Sequence, residues 1–245
     1  MYNGFSRDKF GRHRNIYIED NTIILVSKDG TERIKNLPYT YDSFVDTIEN
    51  MGYYQLYSDK TEYYDENLER HTMPPIASVF YGYMWKYERI PTFDELFDAY
   101  VKMYVDKGEK WSFNSKYHEG YFEFDKNALK GGIWRAYYSF IREFDLYLYL
   151  SRNLHAIYDF QTDYFGGSDI IVENGNRTIY IASLLRTKRS SEYKYKKNTY
   201  RHEYDEPNTI EAWLDMSNPY QSWNCNGVYL YTSEYMDEIY RKCVK

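Results

Sequence analysis

The sequence predicts an α+β fold, a mixed sheet flanked by helices. Three observations predict it. The first 40 residues hold β-branched and aromatic runs split by Asp-Asn and Asp-Gly turns. Residues 41–130 carry apolar positions at helical spacing, with capping signals. The remainder, 131–245, alternates one long apolar helix with short strands, a hairpin turn and a final helix. The organisation is therefore a β-rich N-terminal module (1–40), a helical middle region (41–130) and a core (131–245). No linker marks these parts as independent domains.

Composition sets the outer bounds. The chain has 245 residues, with 31 basic against 37 acidic and a net charge of −6. With 43% hydrophobic and 28% charged residues the balance is that of a globular protein and excludes general disorder. No apolar run approaches the roughly 18–20 residues of a membrane helix, and no signal-peptide pattern opens the chain, so no membrane partner is expected. The two cysteines, Cys225 and Cys243, exclude a disulfide framework and a four-cysteine zinc site. A reducing, cytoplasmic setting is the expectation. The chain is tyrosine-rich, with 32 tyrosines, which supplies amphipathic aromatic surface for cores with wet edges and for partner interfaces.

Asn15–Glu19, Thr22–Ser27 and Thr31–Lys35 read as strands, joined by Asp20-Asn21 and Lys28-Asp29-Gly30. The basic stretch ahead of them (Arg7, Lys9, Arg12, His13, Arg14) reads as a solvated arm, with a phosphate-contacting arm as the alternative. Apolar positions 41, 44, 45 and 48 predict a short helix over Tyr41–Met51, ended by Gly52. Tyr53–Tyr64 carries no readable pattern. After Met73-Pro74-Pro75, Ile76–Trp85 reads as a helix or a buried strand. Thr92 and Glu95 then form a capping box, and apolar positions 93, 96, 97, 100, 101 and 104 carry that helix to Asp106.

A second long helix is predicted from Gly132 to Ser151, apolar or aromatic nearly all round and hence buried on most sides. One polar stripe interrupts it: Arg135, Ser139, Arg142 and Glu143 share a face. That stripe is either an Arg–Glu network on a helix rim or a face turned to a polar cleft. Strands follow at Ala156–Phe160, Asp169–Glu173, Arg177–Leu185 and Val228–Tyr231. Asn174-Gly175 is a hairpin turn, and a final helix at Ser233–Lys242 has Ser233 as its expected cap.

The order of these elements carries the functional reading: a buried helix with Glu143, a strand, a turn with Gly166-Gly167, a strand opening on Asp169, a hairpin, a strand and a basic helix. The stretches are Arg135-Ala-Tyr-Tyr-Ser-Phe-Ile-Arg-Glu143, Gly166-Gly-Ser-Asp-Ile-Ile-Val172 and Ile179-Tyr-Ile-Ala-Ser183. Over residues 132–202, under a third of the chain, this order resembles the core of the PD-(D/E)XK, or restriction-endonuclease-like, superfamily. The resemblance implies a site in which carboxylates hold Mg²⁺ against a scissile phosphate and a lysine orients the attacking water. By position Asp169 matches the first acid and Glu143 the helical one, which makes both expected catalytic and metal-binding residues. Asp163, in the turn, lies near enough in sequence to join them.

The third motif departs from that pattern. Where acid-x-Lys is expected, the strand reads Ser183-x-Leu185, or Ile181-x-Ser183 in the other register. A cation displaced to Arg186 or Lys188 could stand in, or Lys194, Lys196 or Lys197 from the next helix, with Lys188 the catalytic candidate. Asp169 itself is equally readable as a turn-capping or ion-paired aspartate.

The second signal is charge. Residues 186–201 hold Arg186, Lys188, Arg189, Lys194, Lys196, Lys197 and Arg201 against the single acid Glu192, with Tyr193, Tyr195 and Tyr200 interleaved. Lysine and arginine contact phosphates, and tyrosines stack on unpaired bases. The alternative is a solvated helix face. The histidines show no metal-ligand spacing, no Gly-rich phosphate loop or nucleophile elbow is present, and Cys225 reads as structural. The expected function is a nucleic-acid-directed protein acting on DNA or RNA, an Mg-dependent nuclease of a phage or mobile element if active. The alternative is a non-catalytic protein-interaction or regulatory protein that keeps a degenerate nuclease-like core.

Overall fold

The structure is a computed structural model that describes residues 15–27, 29–51, 64–65, 68, 73–114, 123–159, 168–187 and 208–245. Its fold is α+β. Strands β1 (Asn15–Glu19), β2 (Thr22–Val26) and β3 (Glu32–Asn36) form an antiparallel meander. Asp20 and Asn21 both take positive φ (46° and 56°), so the turn twists with the strands it joins, and Glu19 pairs Thr22 across it. Gly30 (φ 81°) serves the next turn, where Ser27 N–H donates to Thr31 O at 2.9 Å.

Helices α1 (Tyr41–Asn50), α2 (Ile76–Tyr87) and α3 (Phe93–Tyr104) follow. The 76–85 segment is a helix, because Ala77, Phe80, Tyr81 and Met84 bury one face at helical spacing. The capping box at Thr92 and Glu95 is present: Thr92 Oγ1 accepts from Glu95 N–H, and Glu95 Oε2 accepts from Thr92 N–H at 2.8 Å. A small sheet follows, β4 (Val105–Lys107), β5 (Trp111–Phe113) and β6 (Glu123–Phe124). Strands of two or three residues are too short to show alternation, so the sequence gives no sign of it.

Helix α4 runs Lys126–Ser151 and begins six residues before the expected Gly132. Asp125 caps it, its Oδ1 accepting from Asn127 N–H at 2.6 Å. Gly131-Gly132 is buried inside the helix, where tertiary packing outweighs the propensity cost. Strands β7 (His155–Asp159), β8 (Ile170–Asn174), β9 (Arg177–Leu185) and β10 (Thr209–Leu214) complete a seven-stranded sheet in the order β10-β9-β8-β7-β1-β2-β3. The N-terminal meander thus continues the core sheet through β1–β7. β10 lies parallel to β9, a pairing that requires a crossover between residues 185 and 209.

The central strands β8 and β9 are buried on both faces, with Ile170, Val172, Ile179 and Ile181 in the main core and Ile171 and Tyr180 on the other side. Such strands read as continuous apolar runs, which is why they are visible in the sequence. A hairpin of β11 (Ser222–Cys225) and β12 (Val228–Tyr231) leads into α5 (Ser233–Val244). The cap of α5 is Thr232 rather than Ser233: Thr232 Oγ1 accepts from Tyr235 N–H at 3.3 Å, and Ser233 is the first helical residue. No helix among the described residues is long and apolar enough to cross a membrane.

Candidate functional site

The polar stripe of α4 faces inward. Arg142 and Glu143 are 7% and 4% exposed, so they lie inside the protein and not on a helix rim. Glu143 Oε2 accepts from the Tyr158 hydroxyl on β7 at 3.0 Å. Burial pulls the Arg142 guanidinium below its usual pKa, and acidic groups on Tyr231, Glu143, Asp169 and Tyr138 push it back up. Arg142 therefore lies within the field of both expected metal-binding carboxylates. Arg135, farther up the stripe, places its guanidinium 5.9 Å from the Tyr64 ring centre, and Ser139 is half-buried.

Asp169 stands just ahead of β8 and is 6% exposed. Its N–H donates to Ile181 O at 2.8 Å, and its Oδ2 accepts from Ser183 N–H at 2.5 Å. Ser183 is the residue that replaces the expected second acid. Its Oγ lies 2.8 Å from the Tyr231 hydroxyl, which donates to Ala212 O at 2.8 Å. A phenol has one proton, and Ala212 O takes it, so Ser183 Oγ–H is the donor to Tyr231. One hydrogen-bonded path thus ties the start of β8 to β9, β12 and β10.

This donor set does not fit a magnesium ion among the described residues. Asp169 is engaged by a backbone amide, Glu143 by a phenol, and a buried guanidinium already supplies positive charge in their field. No three His, Cys, Asp or Glu side chains among the described residues stand close enough to hold a metal. Asp163, Lys188, Arg189, Lys194, Lys196, Lys197 and Arg201 lie outside the described residues, as does the arm at residues 7–14. Arg186 is the described end of the basic strip. It is exposed, and its N–H donates to Leu214 O at 2.8 Å.

Several groups escape the sequence reading. Tyr158 and Tyr231 are fully buried partners of Glu143 and Ser183. Asp145, also on α4, is 1% exposed, and among the described residues neither carboxylate oxygen has a hydrogen-bond partner. Burial alone pushes its pKa up to about 8. The available signal was a lone acid inside the apolar run Phe144–Leu150. His155 bridges Glu19 through Nε2 and Glu173 through Nδ1, the latter at 3.1 Å. Cys225 and Cys243 are buried thiols, pushed up to about 12 and about 11 by burial, as structural cysteines are. A cleft of 560 Å³ opens elsewhere, lined by Tyr41, Val45 and Trp223 with the first turn of α5. It includes none of the candidate residues. Comparisons with family models, curated proteins and solved structures gave no match.

Proposed function

We propose that this chain is a nucleic-acid-directed binding protein, built on a PD-(D/E)XK-like core whose described residues are not equipped for phosphodiester hydrolysis. The order α4, β7, β8, β9 is the order on which the resemblance rests, and β10 extends the same sheet parallel to β9. The observation that carries the non-catalytic reading is the commitment of Asp169 to the Ser183 amide, beside a buried Arg142. The resemblance calls for a second carboxylate on β9, and here that position is a serine bonded to Tyr231. Nucleic acid would be held through the strip 186–201.

One observation favours an active Mg-dependent nuclease as the second reading: Glu143 and Asp169 both act on Arg142 and so share one buried surrounding. Lys188 would then supply the cation. A single experiment separates the readings. The purified chain is incubated with single- and double-stranded DNA and RNA, with and without Mg²⁺ or Mn²⁺, across a salt series. Binding that weakens steeply with salt and is not followed by cleavage supports the proposal. Metal-dependent cleavage establishes the nuclease. Absence of binding to every nucleic acid at low salt overturns both and leaves a protein-interaction role.

A further inference from the structure

The two faces of the seven-stranded sheet are not alike. Among the described residues, all five helices join the core cluster on the face of Ile18, Ile23, Tyr158, Val172 and Ile181. The strand registers put Ile24, Ile157, Ile171, Tyr180 and Ala182 on the other, outer face. Ile171 is 4% exposed, Ala182 7% and Tyr180 9%, yet none of them belongs to that cluster. Asp159, Tyr180, Glu211 and Trp213, all on the outer face, make further polar, ring or electrostatic contacts. The outer face is therefore covered, and its cover lies outside the described residues.

Charge points to the cover. The outer positions of the seven strands carry Glu19, Glu32, Asp159, Glu173 and Glu211 and no lysine or arginine. His155 sits between Glu19 and Glu173. Residues 188–201 hold Lys188, Arg189, Lys194, Lys196, Lys197 and Arg201 against the one acid Glu192, with three tyrosines to meet apolar ground. The acids Glu203, Asp205 and Glu206 follow only at the β10 end.

The chain connection gives the same answer. β9 ends at Leu185, while β10 begins at Thr209 beside Tyr180, so the chain returns about 17 Å along the strand. Residues 188–207 exceed the dozen or so that a crossover between parallel strands needs. The hand of the crossover selects the face. Seen from the helix-bearing face with β9 running upward, the Ile181 side chain points at the viewer, and an L-residue so placed directs its carbonyl to the right. Ile181 O accepts from Asp169 N–H, so β8 lies to the right of β9 and β10 to the left. A right-handed crossover, the nearly invariant hand, brings the second strand to the right when it passes in front of the sheet. With β10 on the left, a right-handed connection passes behind, over the outer face.

We propose that residues 188–207 dock on the outer face of the sheet, over Ile171, Tyr180 and Ala182, with their lysines and arginines meeting the acids of that face. The basic strip then stands across the sheet from Arg142 and Glu143 of α4. This inference does not rest on the nucleic-acid reading. It adds to that reading a physical reason for binding without cleavage, since a strand held by the strip lies on the side of the sheet away from Glu143.

The test is paramagnetic broadening in the full chain. A nitroxide is attached at Lys196→Cys. Cys225 and Cys243 are buried, and wild type treated alike shows what they take up. Lys194→Cys serves instead if the first variant lowers the melting temperature. Isoleucine methyl signals are compared with the label oxidised and reduced. The effect falls with the sixth power of distance and the helices stand about 10 Å beyond the sheet, so broadening of Ile171 should exceed that of Ile239 on α5 by about fivefold or more. Ile239 broadened as much as Ile171, or neither broadened, overturns the inference. No nucleic acid is present, so that failure leaves the proposed function standing, and a chain that binds no nucleic acid overturns the proposed function alone.

Discussion

Asp169 and Ser183 are joined across β8 and β9 by a 2.5 Å bond from the serine amide to the aspartate carboxylate. The acid that element order marks as a metal ligand thus serves as a backbone anchor. Replacing it with alanine leaves the Ser183 amide without its acceptor in a part-buried site and removes one negative charge from the field of Arg142. Asp169→Ala should cost about 1–3 kcal/mol, read from urea unfolding. In the wild type, Mg²⁺ should leave the melting temperature unchanged. A metal-induced rise in melting temperature that the variant lacks would instead make Asp169 a ligand.

Asp145 carries the opposite expectation. Its carboxyl is raised to about 8 in the folded chain, against about 3.9 for an unfolded aspartate. Between these values the folded state holds a proton that the unfolded state has lost. Stability is therefore fully present below about pH 4 and declines as pH rises towards 8. At pH 7 the loss amounts to at most about 4 kcal/mol, from three pH units at 1.36 kcal/mol each. Asp145→Asn should be more stable than the wild type at pH 7 to 8, by less than that bound because a buried amide also needs partners. The gap should close near pH 4. Equal unfolding midpoints at pH 5 and pH 8 in the wild type would show that Asp145 is not protonated in the fold.

Much of this fold is legible in the chain because each such element has a local cause. The Thr92–Glu95 box sits three residues apart, the Asp20-Asn21 turn needs positive φ at both positions, and Arg177–Leu185 holds the unbroken apolar run Ile179–Ala182. The candidate site is legible only in outline. The sequence marks Glu143 and Asp169, but an aspartate ahead of a strand serves equally as ligand or as cap. What decides is the Ser183 amide, fourteen residues away along the chain. Tyr158 and Tyr231 are invisible for a different reason: in a chain with 32 tyrosines, residue type says nothing about which phenols are buried against polar groups. Asp145 becomes anomalous only when every side of α4 is covered, which is a property of tertiary packing. The strand β10 escapes notice because its six residues carry only a short alternation, Ile210, Ala212 and Leu214, and its parallel partner β9 is distant in sequence.

His155 gives a pH dependence of its own. Its hydrogen bond to Glu19 is the main cause raising its pKa, and Glu173 adds to it. The imidazolium links β1, β7 and β8 across the seam where the N-terminal meander joins the rest of the sheet. The raised pKa means that this contribution is fully present below the unfolded value of about 6.5 and is lost as pH rises through the folded value. His155→Gln should lower stability slightly at pH 6 and not at pH 9, since exposed pairs contribute little. Amide exchange in β1 and β7 is the sensitive measurement. Equal exchange in wild type and variant at pH 6 would show that the bridge does not hold the seam.

Gly82 offers a stability test of the exposed face of α2. It sits in the middle of a helix, on the exposed crest, where glycine costs roughly 0.5–1 kcal/mol relative to alanine. Its φ is not positive, and a Cβ would meet nothing within 4 Å, so neither backbone strain nor a clash opposes the change. Gly82→Ala also restricts the unfolded chain, which acts in the same direction. The variant should gain about 0.5–1 kcal/mol in urea unfolding, with an unchanged dependence on denaturant concentration. A loss of stability instead would mean that the crest is covered by another part of the chain.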